Sequence, residues 1–342
     1  MQIAVFGPDR RVGIIDGEKV IDISAAYAVY LAENTDEKFP SQQAGLIVPA
    51  ELGAFIAAKD GALAGAREAL EYLRTREDKV AGLRGELLSR QLADVKLHAP
   101  LAQRARLFMA GSNYPAHTAG AEGGSGADEA ATERARIRMR EIGQRGFISF
   151  TENCVDPGAA VVHPARTDML DFEGEIAVVI GARCKDVHVA EASQFFWGFF
   201  LMNDFSARRA LPVADNPGSR FARDKNFDSS KSAGPYIAVD EFADAQDIFW
   251  ETRVNDELRQ QGHTRDMIFS FAEMLAHLSE DMTMFPGDVI SGGTAAGTVF
   301  DTTPPNPDGT RDPSGFLKVG DVVEVSNPVL GTLANQITAK ED

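Results

Sequence analysis

Residues 171–181 read DFEGEIAVVIG, and this stretch decides the fold. Ile176, Ala177, Val178, Val179 and Ile180 form an unbroken apolar run bounded by Gly174 and Gly181, the pattern of a buried strand. Glu173 and Glu175 stand two apart at its mouth. Side chains at that spacing on a strand share a face. Two carboxylates placed so repel each other and lose hydration. Either the strand end is wet, or a cation offsets the repulsion. Paired oxygen donors suit a hard divalent cation; a frayed, solvated strand end is the plain alternative. A second strand bears on the choice. In FFWGFFLMNDFSARR, residues 195–209, a strongly apolar run stops abruptly at Asp204. Asn203-Asp204 could be a turn pair. Equally, three carboxylates at strand ends would make an open oxygen site for Mg²⁺ or Mn²⁺, completed by water and substrate.

Beyond residue 160 the β signals continue. EIAVVIG, FWGFFLMND, AGPYIAV, FWETRVND, GDVISGG and GDVVEVSNPVLGTLAN are short apolar runs bounded by Gly, Asp, Asn or Pro. Helical patterns interrupt them at about 190–197 and 268–279. Near the N-terminus, RVGIID and KVIDI flank Asp16-Gly17, a hairpin signal, and residues 49–78 turn helical. RLFMAGSNYPAH, from Arg106, reads as a strand running into a loop. The expected class is therefore α+β, mostly β. A small α/β domain spans residues 1–95, and a β-rich domain of mixed sheets spans 96–342. Within the latter, about 115–150 starts Gly-rich and continues as a helix carrying Arg134, Arg136, Arg138 and Arg140, a candidate lid. A solvated surface helix explains the same charges.

Bulk properties narrow the function. Of the 342 residues 44% are hydrophobic, enough for an ordinary core. A net charge of −17 argues against nucleic acid, which requires a basic face. No apolar run reaches the length of a membrane span, and the first residues read as strand, turn and strand, not as a signal peptide. Cys154 and Cys184 match neither a disulfide framework nor a zinc motif, so a reducing cytoplasm is the expected setting.

Six segments, taken in order, resemble the fumarylacetoacetate hydrolase family. They are GSNYPAH, DFEGEIAVVIG, NDFSAR, DKNFDSS with GPYI, VNDELRQQGHTRDMIFS and PGDVISGGTAAG, within residues 107–335. The resemblance implies a mixed β-sandwich roll and a divalent metal, Mg²⁺ or Mn²⁺ with Ca²⁺ also accommodated, held by Glu173, Glu175 and Asp204. The cation would offset the repulsion between the glutamates. Lys225 matches the family lysine and would stabilise an enolate as negative charge develops. Arg208 matches an arginine whose planar fork suits a substrate carboxylate. Tyr114 and Thr294 fall on substrate-contacting positions, and His117 on the histidine that activates water. The implied activity is hydrolysis of a C–C bond in a 1,3-dicarbonyl or acylpyruvate-like keto acid. Decarboxylation of oxaloacetate-like acids and isomerisation or hydration of dienoates are the alternatives on the same fold, and an inactive binding homologue is the third. A homodimer is usual in the family.

The chain also departs from the pattern. Smaller members pair the histidine with a glutamate three residues on, but here that position is Gly120, leaving Glu122, Glu129, Glu133 or Glu141 of the lid as substitutes. No lysine follows the lid; Arg145 is the nearest basic residue. Gly292, Ala295 and Leu211 replace residues of the substrate-facing rim. With the arginine-rich lid, these changes suggest an anionic or bulkier substrate.

Overall fold

The computed structural model describes residues 1–76, 81–123, 128–208 and 223–340. Leu211 and residues 124–127 of the lid lie outside this set. Three sheets carry the fold of the described residues, with helices packed against both faces of the largest, so the class is α+β and mostly β. The main path of the largest sheet runs in the order Ser89–Gln91, Lys19–Asp22, Arg11–Asp16, Gln2–Phe6, Lys231–Ala238, Phe196–Asp204, Gly174–Ile180, Val289–Thr294, Arg106–Gly111 and Arg145–Phe150. A five-stranded sheet contains Glu257–His263, Phe249–Val254, Val322–Asn327, Gly331–Thr338 and Val161–Val162. Met169–Asp171 pairs with Ser206–Arg208 in a third, short sheet.

The strand Gly174–Ile180 lies in the middle of the large sheet and is buried throughout. Ala177 and Val179 join the core beneath the N-terminal helices, together with Phe55, Ile56 and Ala66. Ile176, Val178 and Ile180 join a second core with Trp250, Phe271, Val325 and Leu333. The run is apolar without alternation because both faces of the sheet are covered.

The hairpin at Asp16-Gly17 forms, with Asp16 opposite Lys19. Residues 49–78 contain two helices, Leu52–Ala57 and Lys59–Arg74. Among the described residues four helices lie where the sequence reading placed none: Ile23–Asn34, Pro40–Ile47, the short Val299–Thr302 and Pro115–Gly123. The last takes the place of the expected loop and carries His117. Pro115 opens it, where proline is tolerated because the first amides lack helical partners. The lid helix runs Glu129–Ile142, with Asp128 accepting from Ala131 N as its N-cap.

Candidate active site

The three carboxylates converge. Glu173, Glu175 and Asp204 each offer an oxygen within 4.8 Å of the others, and all three residues are buried. Their backbones explain why. Gly174 pairs with Asn203 across adjacent strands, Asn203 Oδ1 accepts from Glu173 N at 2.9 Å, and Asp204 N donates to Glu173 O at 2.9 Å. The glycine between the glutamates is a steric requirement. A Cβ there would lie 2.2 Å from Thr252 Oγ1 and 2.9 Å from Gln260 Oε1.

Cations surround the carboxylates. Lys225 Nζ donates to Glu173 Oε2 at 2.5 Å and to Asp204 Oδ2 at 2.8 Å. Arg208 Nη2 donates to Glu173, and its Nε lies 3.2 Å from Asp171 Oδ2. Burial alone would push the Glu173 carboxyl up, but Lys225 and Arg208 hold it well below the usual carboxylate range. Glu175 is the opposite case. Burial, then the neighbouring charges of Asp204 and Glu173, push its carboxyl well above the ordinary value, and Ser291 Oγ only partly compensates. This unrelieved repulsion is what a divalent cation would remove. The donor set, three hard carboxylate oxygens in a small buried space, fits Mg²⁺ or Mn²⁺.

His117 lies on the helix Pro115–Gly123, and its Nδ1 is 2.7 Å from Asp301 Oδ2. Asp301 is 2% exposed and sits in a short helix, Val299–Thr302. This corrects the search for a lid carboxylate. Glu122 pairs with Arg138, and Glu133 lies 3.6 Å from Arg136 on the surface. The partner comes instead from 184 residues downstream of the histidine. Gly120 now has a reason. A Cβ at that position would lie 2.9 Å from Asp301 Cβ and 2.9 Å from its carbonyl oxygen. The aspartate occupies the space that a side chain at 120 would need. The one sequence signal was a lone acid after the apolar pair Val299-Phe300 in GTVFDTT, directly after the Gly-rich loop.

Asp171 ties the two groups together. Fully buried, it takes the Arg208 guanidinium and accepts from Val299 N at 2.9 Å and Phe300 N at 3.1 Å, next to Asp301. Phe300 lies under Arg208, 4.8 Å from guanidinium carbon to ring centre. Arg208 is thus locked by two carboxylates and an aromatic face.

The Thr294 hydroxyl donates to Gly174 O at 2.9 Å and accepts from Gln260 Nε2 at 2.7 Å, so it positions the glutamate strand from within. Tyr114 is 2% exposed and packs edge-on against Trp250 at 5.7 Å. The lid arginines are surface ion pairs: Arg138 with Glu122, Arg140 with Glu273 and Arg136 near Glu133. Arg134 and Arg145 are exposed. The ring of Phe147 lies 5.8 Å from the ammonium of Lys225.

Residues 106–338 match the family model described as fumarylacetoacetate (FAA) hydrolase, C-terminal. The chain is 31% identical over 330 residues to oxaloacetate tautomerase YisK of Bacillus subtilis, covering 95% of this chain and 94% of that one. It is 33% identical over 193 residues to 2,4-didehydro-3-deoxy-L-rhamnonate hydrolase of a Sphingomonas species, covering 56% of this chain and 64% of that one. Among solved structures, fumarylacetoacetate hydrolase from Exiguobacterium antarcticum superposes with a TM-score of 0.66 at 25% identity, covering 99% of this chain and all of that one. Maleylpyruvate hydrolase from Sphingobium sp. SYK-6, solved with manganese(II) and pyruvate, shares the fold at a TM-score of 0.67 and 21% identity, over the full length of both.

Proposed function

Because the chain belongs to the fumarylacetoacetate hydrolase family, we propose that it hydrolyses a C–C bond in an acylpyruvate-like or other 1,3-dicarbonyl acid. The observation that carries this reading is the pair of partly buried His117 with buried Asp301. Without a glutamate at position 120 the chain would lack a partner for the histidine; Asp301 supplies one.

A divalent ion, Mg²⁺ or Mn²⁺, held by Glu173, Glu175 and Asp204 would act as a Lewis acid on the substrate's adjacent oxygens. The remaining chemistry belongs to the side chains. Asp301 accepts from Nδ1–H of His117, which fixes the tautomer and leaves Nε2 as the base. Nε2 takes a proton from water, and the water oxygen bonds to the distal carbonyl carbon. The C–C bond then breaks, and its electron pair passes to the keto-acid fragment as an enolate. The Lys225 ammonium stabilises that charge, and the imidazolium returns the proton to carbon. Arg208, anchored by Asp171, would orient a substrate carboxylate.

A second reading is favoured by the full-length likeness to a tautomerase. There His117 would move a proton between carbon and the enol oxygen of an oxaloacetate-like acid, breaking or forming a C–H bond and leaving every C–C bond intact.

The test is turnover of acylpyruvates, fumarylpyruvate and oxaloacetate in H₂¹⁸O, with Mg²⁺ or Mn²⁺, beside Glu173→Ala. Hydrolysis places ¹⁸O in the released acid and is lost in the variant. Interconversion of oxaloacetate enol and ketone without cleavage, with acylpyruvates untouched, would replace hydrolysis by tautomerisation. CO₂ release would point to decarboxylation. We also propose the homodimer usual in the family; exposed Ile148 and Phe150 on the edge strand Arg145–Phe150 support an apolar contact there.

A further inference from the structure

Lys231 is a lysine with no exposed surface, in the interior of the large sheet. A charge in such a place is costly unless it is fully paired. It stands in register opposite Asp204 on the neighbouring strand, with Nζ 2.7 Å from Asp204 Oδ1. The same ammonium donates to the carbonyl oxygen of Lys225 and lies 3.2 Å from Ser230 Oγ. Its hydrogen bonds go to Lys225 O and Ser230, and towards Asp204 Oδ1 it makes an ion pair. The other oxygen of Asp204 is taken by Lys225, so the two lysines divide the carboxylate between them. The ring of Phe147 lies 5.8 Å from each ammonium.

We propose that Lys231 is a positioning residue of the carboxylate centre: its ammonium fixes Asp204, anchors the backbone of Lys225, and keeps affinity for the divalent ion moderate. This rests on the centre holding such an ion. The electrostatic sense is plain. Asp171, Glu173, Glu175 and Asp204 face Arg208, Lys225 and Lys231. Removing Lys231 removes a positive charge bonded directly to one of the three ligands. A cation should then bind more tightly, while Asp204 and Lys225 lose their anchor and turnover falls. Damage to the fold would weaken both binding and turnover, so the two effects separate.

The experiment is Mn²⁺ titration of wild type, Lys231→Met and Lys231→Gln, read by the electron paramagnetic resonance of free Mn²⁺, with kcat and KM for the acid turned over by wild type. Partners of metal ligands typically change affinity by about 10–100-fold; here the expected shift is about tenfold toward tighter binding, because this partner is a cation, with lower kcat. Unchanged or weaker Mn²⁺ binding in folded variants overturns the proposal. Absence of Mn²⁺ binding by wild type overturns the metal centre itself, and this proposal with it. A crystal structure of wild type with Mn²⁺ needs no variant. It should show the Lys231 ammonium still paired with Asp204 beside the bound ion, and an ammonium displaced from Asp204 would refute the assignment.

Discussion

Asp301 meets His117 through a single bond of 2.7 Å, and the proposed chemistry depends on that contact. Replacing Asp301 with Asn keeps the shape but no longer favours the required tautomer. Steady-state assays should show kcat lowered by about 10²–10⁴-fold, the usual weight of general base catalysis. The geometry at position 120 permits a stricter test. Gly120→Glu alone should destabilise the protein, because its Cβ would meet Asp301 at 2.9 Å. Combined with Asp301→Gly, the same change offers a carboxylate from the other side of the gap. The double variant should recover about tenfold or more over Asp301→Gly alone, part of what a general base contributes. No recovery would mean that the histidine needs the aspartate's particular placement. Lys225→Ala removes an oxyanion donor typically worth about 2.7–4 kcal/mol, so kcat should fall by about two to three orders of magnitude.

The lid helix Glu129–Ile142 is fastened by surface charges. Arg138 reaches Glu122 on the neighbouring helix, and Arg140 reaches Glu273 in the capping box of the helix Phe271–Ser279. Each pair is substantially exposed, and such pairs are worth about 0–1 kcal/mol. Arg138→Ala and Arg140→Ala should therefore leave KM close to wild type. A large rise in KM would restore these arginines as substrate contacts. The Glu273 attachment should also depend on pH. Burial raises its carboxyl, but bonds from Arg140 and Ser270 outweigh burial and lower it below the ordinary 4.5. A depressed folded value means that the stabilisation is complete above 4.5 and is lost as pH falls through the folded value. Thermal melts of wild type and Glu273→Gln should differ at pH 7 and converge toward pH 3.

At the scale of the molecule, the division near residue 95 is a proposal about chain organisation, not about independence. Strands from both sides share one sheet: Gln2 pairs with Ala238 and Ile3 with Ile237. Phe55 packs edge-on against Trp197 at 6.1 Å. Deleting residues 1–95 would expose the edge of Lys231–Ala238 and the apolar face carrying Ala177 and Val179. The truncated protein should be recovered as aggregate, and a soluble, metal-binding fragment would contradict this. Sedimentation velocity should find wild type as a dimer and Ile148→Lys with Phe150→Lys shifted toward monomer.

Much of this protein follows from patterns a few residues long. The strand at 174–180, the end of the apolar run at Asp204 and the hairpin at Asp16-Gly17 are local, because side-chain alternation and turn chemistry act over two to seven residues. Glu173, Glu175, Asp204, Lys225, Arg208 and His117 stood within such patterns or in motifs matching the family. Residues whose roles depend on chain crossings were not legible. Asp301 reads as a loop acid until the helix bearing Gly120 packs against it. Lys231 reads as a surface lysine between two serines until its strand is set beside Asp204. Thr294 and Tyr114 matched substrate-contacting positions, and the groups they meet, Gly174, Gln260 and Trp250, come from distant segments. Sequence by itself determined which residues bring oxygen and nitrogen to the centre. Only the tertiary structure decided how they pair, because a buried charge takes its partner from whichever segment packs against it.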